Sequence, residues 1–72
     1  MTFTLNWVPQ DTGAVITDPH RFEYLSSALD LACIVLSDRP TDIWVENDAG
    51  VRVADEHDII AHCKERNLLN RG

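Results

Sequence analysis

The chain predicts a small α+β domain of element order ββαββα. The expected architecture is a four-stranded, mainly antiparallel sheet with one helix packed across it and a second helix at the C-terminus. Three observations carry this. Phe3, Leu5 and Trp7 alternate with Thr2, Thr4 and Asn6, the period of a strand with one buried face. Leu25, Ala28, Leu29, Ala32, Cys33 and Leu36 fall at i, i+3, i+4, i+7, i+8 and i+11, the stripe of a core-facing helix. Asn47-Asp48-Ala49-Gly50 is a hairpin turn signal set between two short β-rich runs.

The first strand stops at the turn residues from Pro9 to Gly13. A second extended stretch, Ala14 to Thr17, is interrupted by Asp18-Pro19. Proline cannot donate to a ladder, so this strand is an edge or is broken there. Phe22 and Tyr24, alternating with Arg21 and Glu23, can resume it. Ser26 or Ser27 is expected to cap the first helix, Ser27–Ser37, with Ser27 and Asp30 approximating a capping box. Leu31, Ile34 and Val35 lie outside the apolar stripe, so this helix needs cover on more than one side. Asp38-Arg39-Pro40 ends it, with Arg39 placed in the last turn. Thr41 to Glu46 and Val51 to Ala54 form the hairpin strands. Asp55 and Asp58 make a second cap and open a helix from Glu56 to about Asn67. The apolar content of this helix is thin: Ile59, Ile60, Ala61 and Cys63, then Leu68 and Leu69.

Seventy-two residues make one domain, 1–72, with no repeat and no linker. A core of this size is marginal, and small domains lean on a disulfide, a metal or a partner. Cys33 and Cys63 are the only cysteines, and both sit in helical patterns. They are expected to be reduced thiols packing as small hydrophobes in a cytoplasmic protein. No basic n-region precedes the first strand, so no secretory leader is expected. The longest apolar stretch, Leu25 to Leu36, is too short for a membrane span. Twelve acidic residues against six basic ones give a net charge of −6, which repels phosphate backbones and favours a basic partner. Lys64, Arg66 and Arg71 complement the C-terminal helix dipole rather than build a nucleic-acid face.

Tyr24-Leu25-Ser26-Ser27-Ala28, Asp42-Ile43-Trp44-Val45 and Asp48-Ala49-Gly50-Val51 together resemble small uncharacterised bacterial domains. In these, a hairpin leads into an Ala-rich helix, followed by a Trp-bearing strand and a hairpin turn. The resemblance covers about Thr2 to Val53 and implies a ββαββ(α) fold, with no function attached. The basic surface of some such domains is absent here.

Each candidate chemistry fails on spacing or partners. His57 and His62, five residues apart on a helix, point about 140° away from each other, so with Cys63 they do not form a metal-ligand face. Cys33 lies in an apolar run and Cys63 has only an adjacent His62, so neither has a positioned base. The carboxylates around Asp42, Glu46 and Asp48, and Asp55, Glu56 and Asp58, are expected in solvent rather than raised by burial. Gly13, Gly50 and Gly72 form no phosphate loop. No enzyme, metal or cofactor is therefore expected, and no membrane or nucleic-acid partner.

The remaining expectation is a protein-interaction or regulatory module without catalysis. The alternative is a small-ligand-binding or enzyme-associated accessory protein, with a pocket near Trp7, Phe22 or Tyr24. Trp44 has the opposite parity to Ile43 and Val45, so both faces of its strand call for burial. Trp44 with Leu31, Ile34 and Val35 is the expected interface. Its partner is a second copy of the chain in a symmetric dimer, or another protein. The intramolecular rival is cover by the C-terminal helix.

Overall fold

The computed structural model describes residues 1–66. They form β1 (Phe3–Val8), β2 (Ile16–Thr17), α1 (Leu25–Leu36), β3 (Asp42–Asn47), β4 (Arg52–Ala54) and α2 (Glu56–Glu65). Asn67, Leu68, Leu69 and Arg71, on which the expected helix end and basic tail fall, lie outside the described residues.

The sheet order is β2-β1-β3-β4, and every neighbouring pair is antiparallel. The ββαββα α+β architecture is therefore the one the sequence predicts. β1 is central, and α1 carries the chain from β2 on one side of it to β3 on the other. Leu5 pairs with Val45 and Trp7 with Ile43, so the apolar parity of both strands faces the same side. Both helices pack there. Leu5, Ile43 and Val45 join Ala28, Leu29, Ala32 and Cys33 of α1, Ala54 of β4, and Ile59 and Cys63 of α2 in one buried cluster.

The broken edge strand forms but is shorter than expected: Ala14 and Val15 stay outside it, and of Phe22 and Tyr24 only Phe22 resumes the pairing. Thr17 pairs with Asn6 and the Asp18 N–H donates to the Leu5 carbonyl at 2.9 Å. Pro19 then bulges the chain out, and Phe22 rejoins β1 by exchanging two backbone bonds with Phe3 at 2.8 and 2.9 Å. The hairpin turn closes through Gly50, at φ 77°, whose N–H donates to the Asn47 carbonyl. Asn47 Oδ1 also accepts from the Ala49 and Val51 N–H groups at 2.9 and 3.0 Å.

The expected cap of α1 does not form. The helix starts at Leu25 with Tyr24 in the N-cap position and no side-chain cap bond, so Ser26 and Ser27 are already inside the first turn. Asp30 is drawn away from a capping role by α2: His62 Nε2 lies 2.8 Å from its Oδ1, and Arg66 Nη2 lies 3.6 Å from its Oδ2. At the other end Arg39 is past the helix rather than in its last turn, in the left-handed region at φ 54°. The α2 cap is the one expected. Asp55 accepts from the Asp58 N–H at 3.0 Å and Asp58 accepts from the Asp55 N–H at 3.2 Å.

The cysteines correct the reading of the sequence. Cys33 and Cys63 are joined in a disulfide between α1 and α2, and no cysteine is left as a thiol. Cys33 lies on the buried stripe of α1, and Cys63 lies one turn after Ile59 on the buried stripe of α2. Two helices packed on the same sheet face bring these stripes together, with the Cα atoms 5.8 Å apart, within bonding reach. The staple expected to be missing is therefore present. The surplus apolar surface of α1 is also largely met within the chain. Leu31 and Val35 pack against the core, and only Ile34 stays out, 68% exposed.

Candidate functional site

Both helices lie on one side of the sheet, so among the described residues its other face is built from strands alone. The register sets out that face. Thr4, Asn6 and Val8 of β1 stand opposite Glu46, Trp44 and Asp42 of β3, and Thr17 of β2 stands beside Asn6. The parity conflict in β3 is resolved here: Ile43 and Val45 go to the core and Trp44 to the helix-free face.

β4 contributes Arg52 to this face through an irregularity. Val45 pairs with Ala54 and Glu46 with Arg52, which leaves Val53 as an extra residue. Ala54 is in the core, and regular alternation would send Arg52 to the core side as well. The bulge reverses its parity, which is the usual effect of one inserted residue. The Arg52 guanidinium then lies 4.1 Å from the centre of the Trp44 ring, with Nη2 3.3 Å from Asp42 Oδ2. Trp44 Nε1 donates to Glu46 Oε2 at 2.8 Å. Asp42, Trp44, Glu46 and Arg52 thus form one array in which the indole is held at its edge and covered on its face. The result is a tryptophan only 7% exposed on a sheet face with no helix over it.

Beside it, Asn6 is 5% exposed, the one buried polar residue among those described. Its Oδ1 accepts from the Thr17 hydroxyl, while its Nδ2 is buried with no hydrogen-bond partner. A buried donor without an acceptor costs about 1–3 kcal/mol, so this amide is a local weak point in the strand pair.

The predicted interface residues are not brought together. Trp44 is on the helix-free face, while Leu31, Ile34 and Val35 are on α1 across the sheet. One self-complementary patch cannot hold all four. Of the residues proposed to flank a pocket, Phe22 packs on the core beside Phe3, and Tyr24 stands 69% exposed at the start of α1. Trp7 does meet a cavity, of about 450 Å³, lined also by Pro9, Gln10, Asp11, Asp38 and Pro40. Asn6 and Arg52 were missed by the sequence reading. Asn6 was legible only as part of the polar row of β1, since its place opposite Trp44 depends on strand register, and Arg52 was not legible, because no residue pattern announces the bulge.

His62 is engaged by Asp30, and Cys63 is committed to the disulfide. Among the described residues, no three His, Cys, Asp or Glu side chains gather where they could hold a metal ion. The Asp55 carboxyl is held below the ordinary carboxylate range, chiefly by the Asp58 backbone N–H it accepts. No helix among the described residues is long and apolar enough to cross a membrane. Comparison with protein-family models, with curated proteins and with solved structures finds no match for this chain.

Proposed function

We propose that the chain is a protein-interaction module without catalysis, and that it docks its partner on the helix-free face of the sheet. The observation that carries this is the Asp42–Trp44–Glu46–Arg52 array. The exposed group of this array is Arg52; arginine is enriched at the energetic centres of protein interfaces, and a guanidinium already held by Trp44 beneath it and by Asp42 loses little freedom on binding. Both sheet edges are poor docking sites by comparison. β2 is two residues long and followed by Pro19, and β4 is three residues long and bulged, features that blunt edge pairing. The chain's charge of −6 favours a partner with a basic surface.

The test is capture by the oxidised chain at physiological salt, repeated with face and helix variants. Arg52→Ala and the pair Asp42→Asn/Glu46→Gln should lose the partner, while Ile34→Asp should keep it. If capture survives the face variants and is lost with Ile34→Asp, the docking surface is α1 and this reading is wrong.

The disulfide bears on where this happens. Cystines between buried helix faces persist in oxidising compartments and are kept reduced in the cytosol. The cytoplasmic expectation rested in part on reduced thiols, beside the lack of a leader pattern and of a membrane span in the sequence. We therefore place the working form of the chain where thiols are oxidised. Alkylation of a rapidly acid-quenched extract, followed by mass measurement, decides it: blocked thiols only after reduction support this, and two alkylated cysteines before reduction return the chain to the cytosol.

A further inference from the structure

The cavity beside Trp7 is separate from the docking face and has a chemistry of its own. Its walls come from two connections at one end of the sheet. Trp7 ends the core-facing row of β1, and Pro9, Gln10 and Asp11 follow it into the β1–β2 loop. Asp38 and Pro40 come from the link between α1 and β3. The two connections are tied together rather than merely adjacent. The Thr41 N–H and hydroxyl both donate to the Val8 carbonyl, at 2.8 and 2.9 Å. Pro40 is buried, and the Gly13 N–H closes the β1–β2 loop onto the Pro9 carbonyl at 3.2 Å.

Charge is sorted at this site. The two connections contain three charged residues: Asp11, Asp38 and Arg39. Both carboxylates line the cavity; the arginine between Asp38 and Pro40 does not. Its left-handed backbone, φ 54°, is the point at which the chain turns. An indole, two prolines, an amide and two carboxylates remain, with no cation among them. A volume of about 450 Å³ is in the size range of small-molecule sites, and the polar share of this lining suits a charged ligand rather than an apolar one. An indole beside carboxylates suits a positive charge carried on an organic body.

We propose that this cavity binds a small organic cation, a guanidinium or primary ammonium on a short apolar stem. The charged head meets Asp11 and Asp38, and the stem lies on Trp7 and the prolines. The shared chemistry is that of a free alkylguanidine or amine and of an arginine or lysine side chain on a peptide.

Trp44→Phe leaves Trp7 as the single indole reporter. Its emission is titrated with butylguanidinium, with neutral butylurea, and with a capped Gly-Arg-Gly peptide. A saturable change with butylguanidinium and none with butylurea is expected. Asp11→Asn and Asp38→Asn should each weaken binding by about two- to five-fold, the size of an exposed ion pair. Asp48→Asn, on the distant hairpin turn, should leave it unchanged. A peptide that binds more tightly than butylguanidinium identifies a protein side chain as the source; the reverse identifies a free metabolite. Amide shifts of Gln10 and Asp11 in the unsubstituted protein supply a readout independent of the tryptophan variant. Equal response to butylurea, equal weakening by Asp48→Asn, or no saturation by either readout overturns the proposal. So does a response to calcium or magnesium with the same Asp dependence, which would make the site inorganic.

Discussion

Asn6 and Trp44 stand opposite each other on the helix-free face, and replacing each has a different consequence. Asn6 brings a buried amide nitrogen without a partner. Asn6→Val removes that group and improves strand propensity, at the loss of one bond to Thr17, whose exposed side chain can turn to water. Stability by urea titration should stay level or rise by about 1 kcal/mol; a loss well beyond that would mean the amide has a structural partner. Trp44→Ala removes a nearly buried indole and should cost about 3 kcal/mol. Arg52→Ala, removing a half-exposed cation from over the ring, should cost about 0.5–1 kcal/mol. That difference makes Arg52 the better probe of binding, since its loss leaves the sheet folded. Asp55 is the residue with a resolved titration consequence. Its carboxyl is held low in the folded state, so folding favours the deprotonated form. Its contribution is present above about pH 4 and is lost as the pH falls through the lowered folded value. Asp55→Asn should flatten the acid limb of the stability curve; an unchanged limb would assign it to other carboxylates.

Among the elements, α2 shows most clearly what the sequence could and could not tell. Its start was legible, because Asp55 and Asp58 form a capping box whose spacing is local. Its role was not. Only Ile59 and Cys63 are buried on it, too little to mark it as a core helix by periodicity alone. What fixes it is the bond to Cys33, thirty residues away, together with Asp30 reaching to His62 and Arg66. Such pairings depend on how helices cross, which no local pattern encodes. The same holds for α1, where Asp30 looked like half of a cap and serves as the tether for α2. Closing a loop of this length stabilises by about 3–4 kcal/mol on chain-entropy grounds. Cys33→Ala/Cys63→Ala should lose about that much, and hydrogen exchange should rise in α2 before it rises in β1 and β3. Uniform loss of protection across the sheet would show instead that α2 and the sheet open as one unit.

At the level of the whole molecule, the grounds for self-association have moved inside the chain. A staple exists, Leu31 and Val35 are packed on the core, and Trp44 is covered by Arg52 and held by Glu46. Ile34 remains as a single exposed apolar side chain on α1, too little for an interface. The expected outcome of sedimentation at increasing concentration is therefore one species near 8.1 kDa. A dimer that Arg52→Ala dissolves would make a second copy the occupant of the sheet face. The fold class was readable because strand and helix periods, turn residues and one cap all agreed. The site was half readable: parity marked Trp44 as out of place, but its companions depend on strand register and on a bulge.

The disulfide also makes a covalent ring of residues 33 to 63, and β3, the hairpin turn and β4 all lie within it. Arg52, exposed and followed by Val53, is inside that ring as well, whereas the Arg39–Pro40 bond resists trypsin. A protease acting after Arg52 opens the ring without separating its two ends. The nicked chain keeps both halves linked, gains only the mass of one water per cut, and falls into separate peptides when a reductant is added. After limited trypsin treatment, the piece that carries Cys33 and the piece that carries Cys63, cut apart at Arg52, should travel as one mass without reductant and as two with it; the two pieces found apart without reductant would mean that the two cysteines are not bonded to each other.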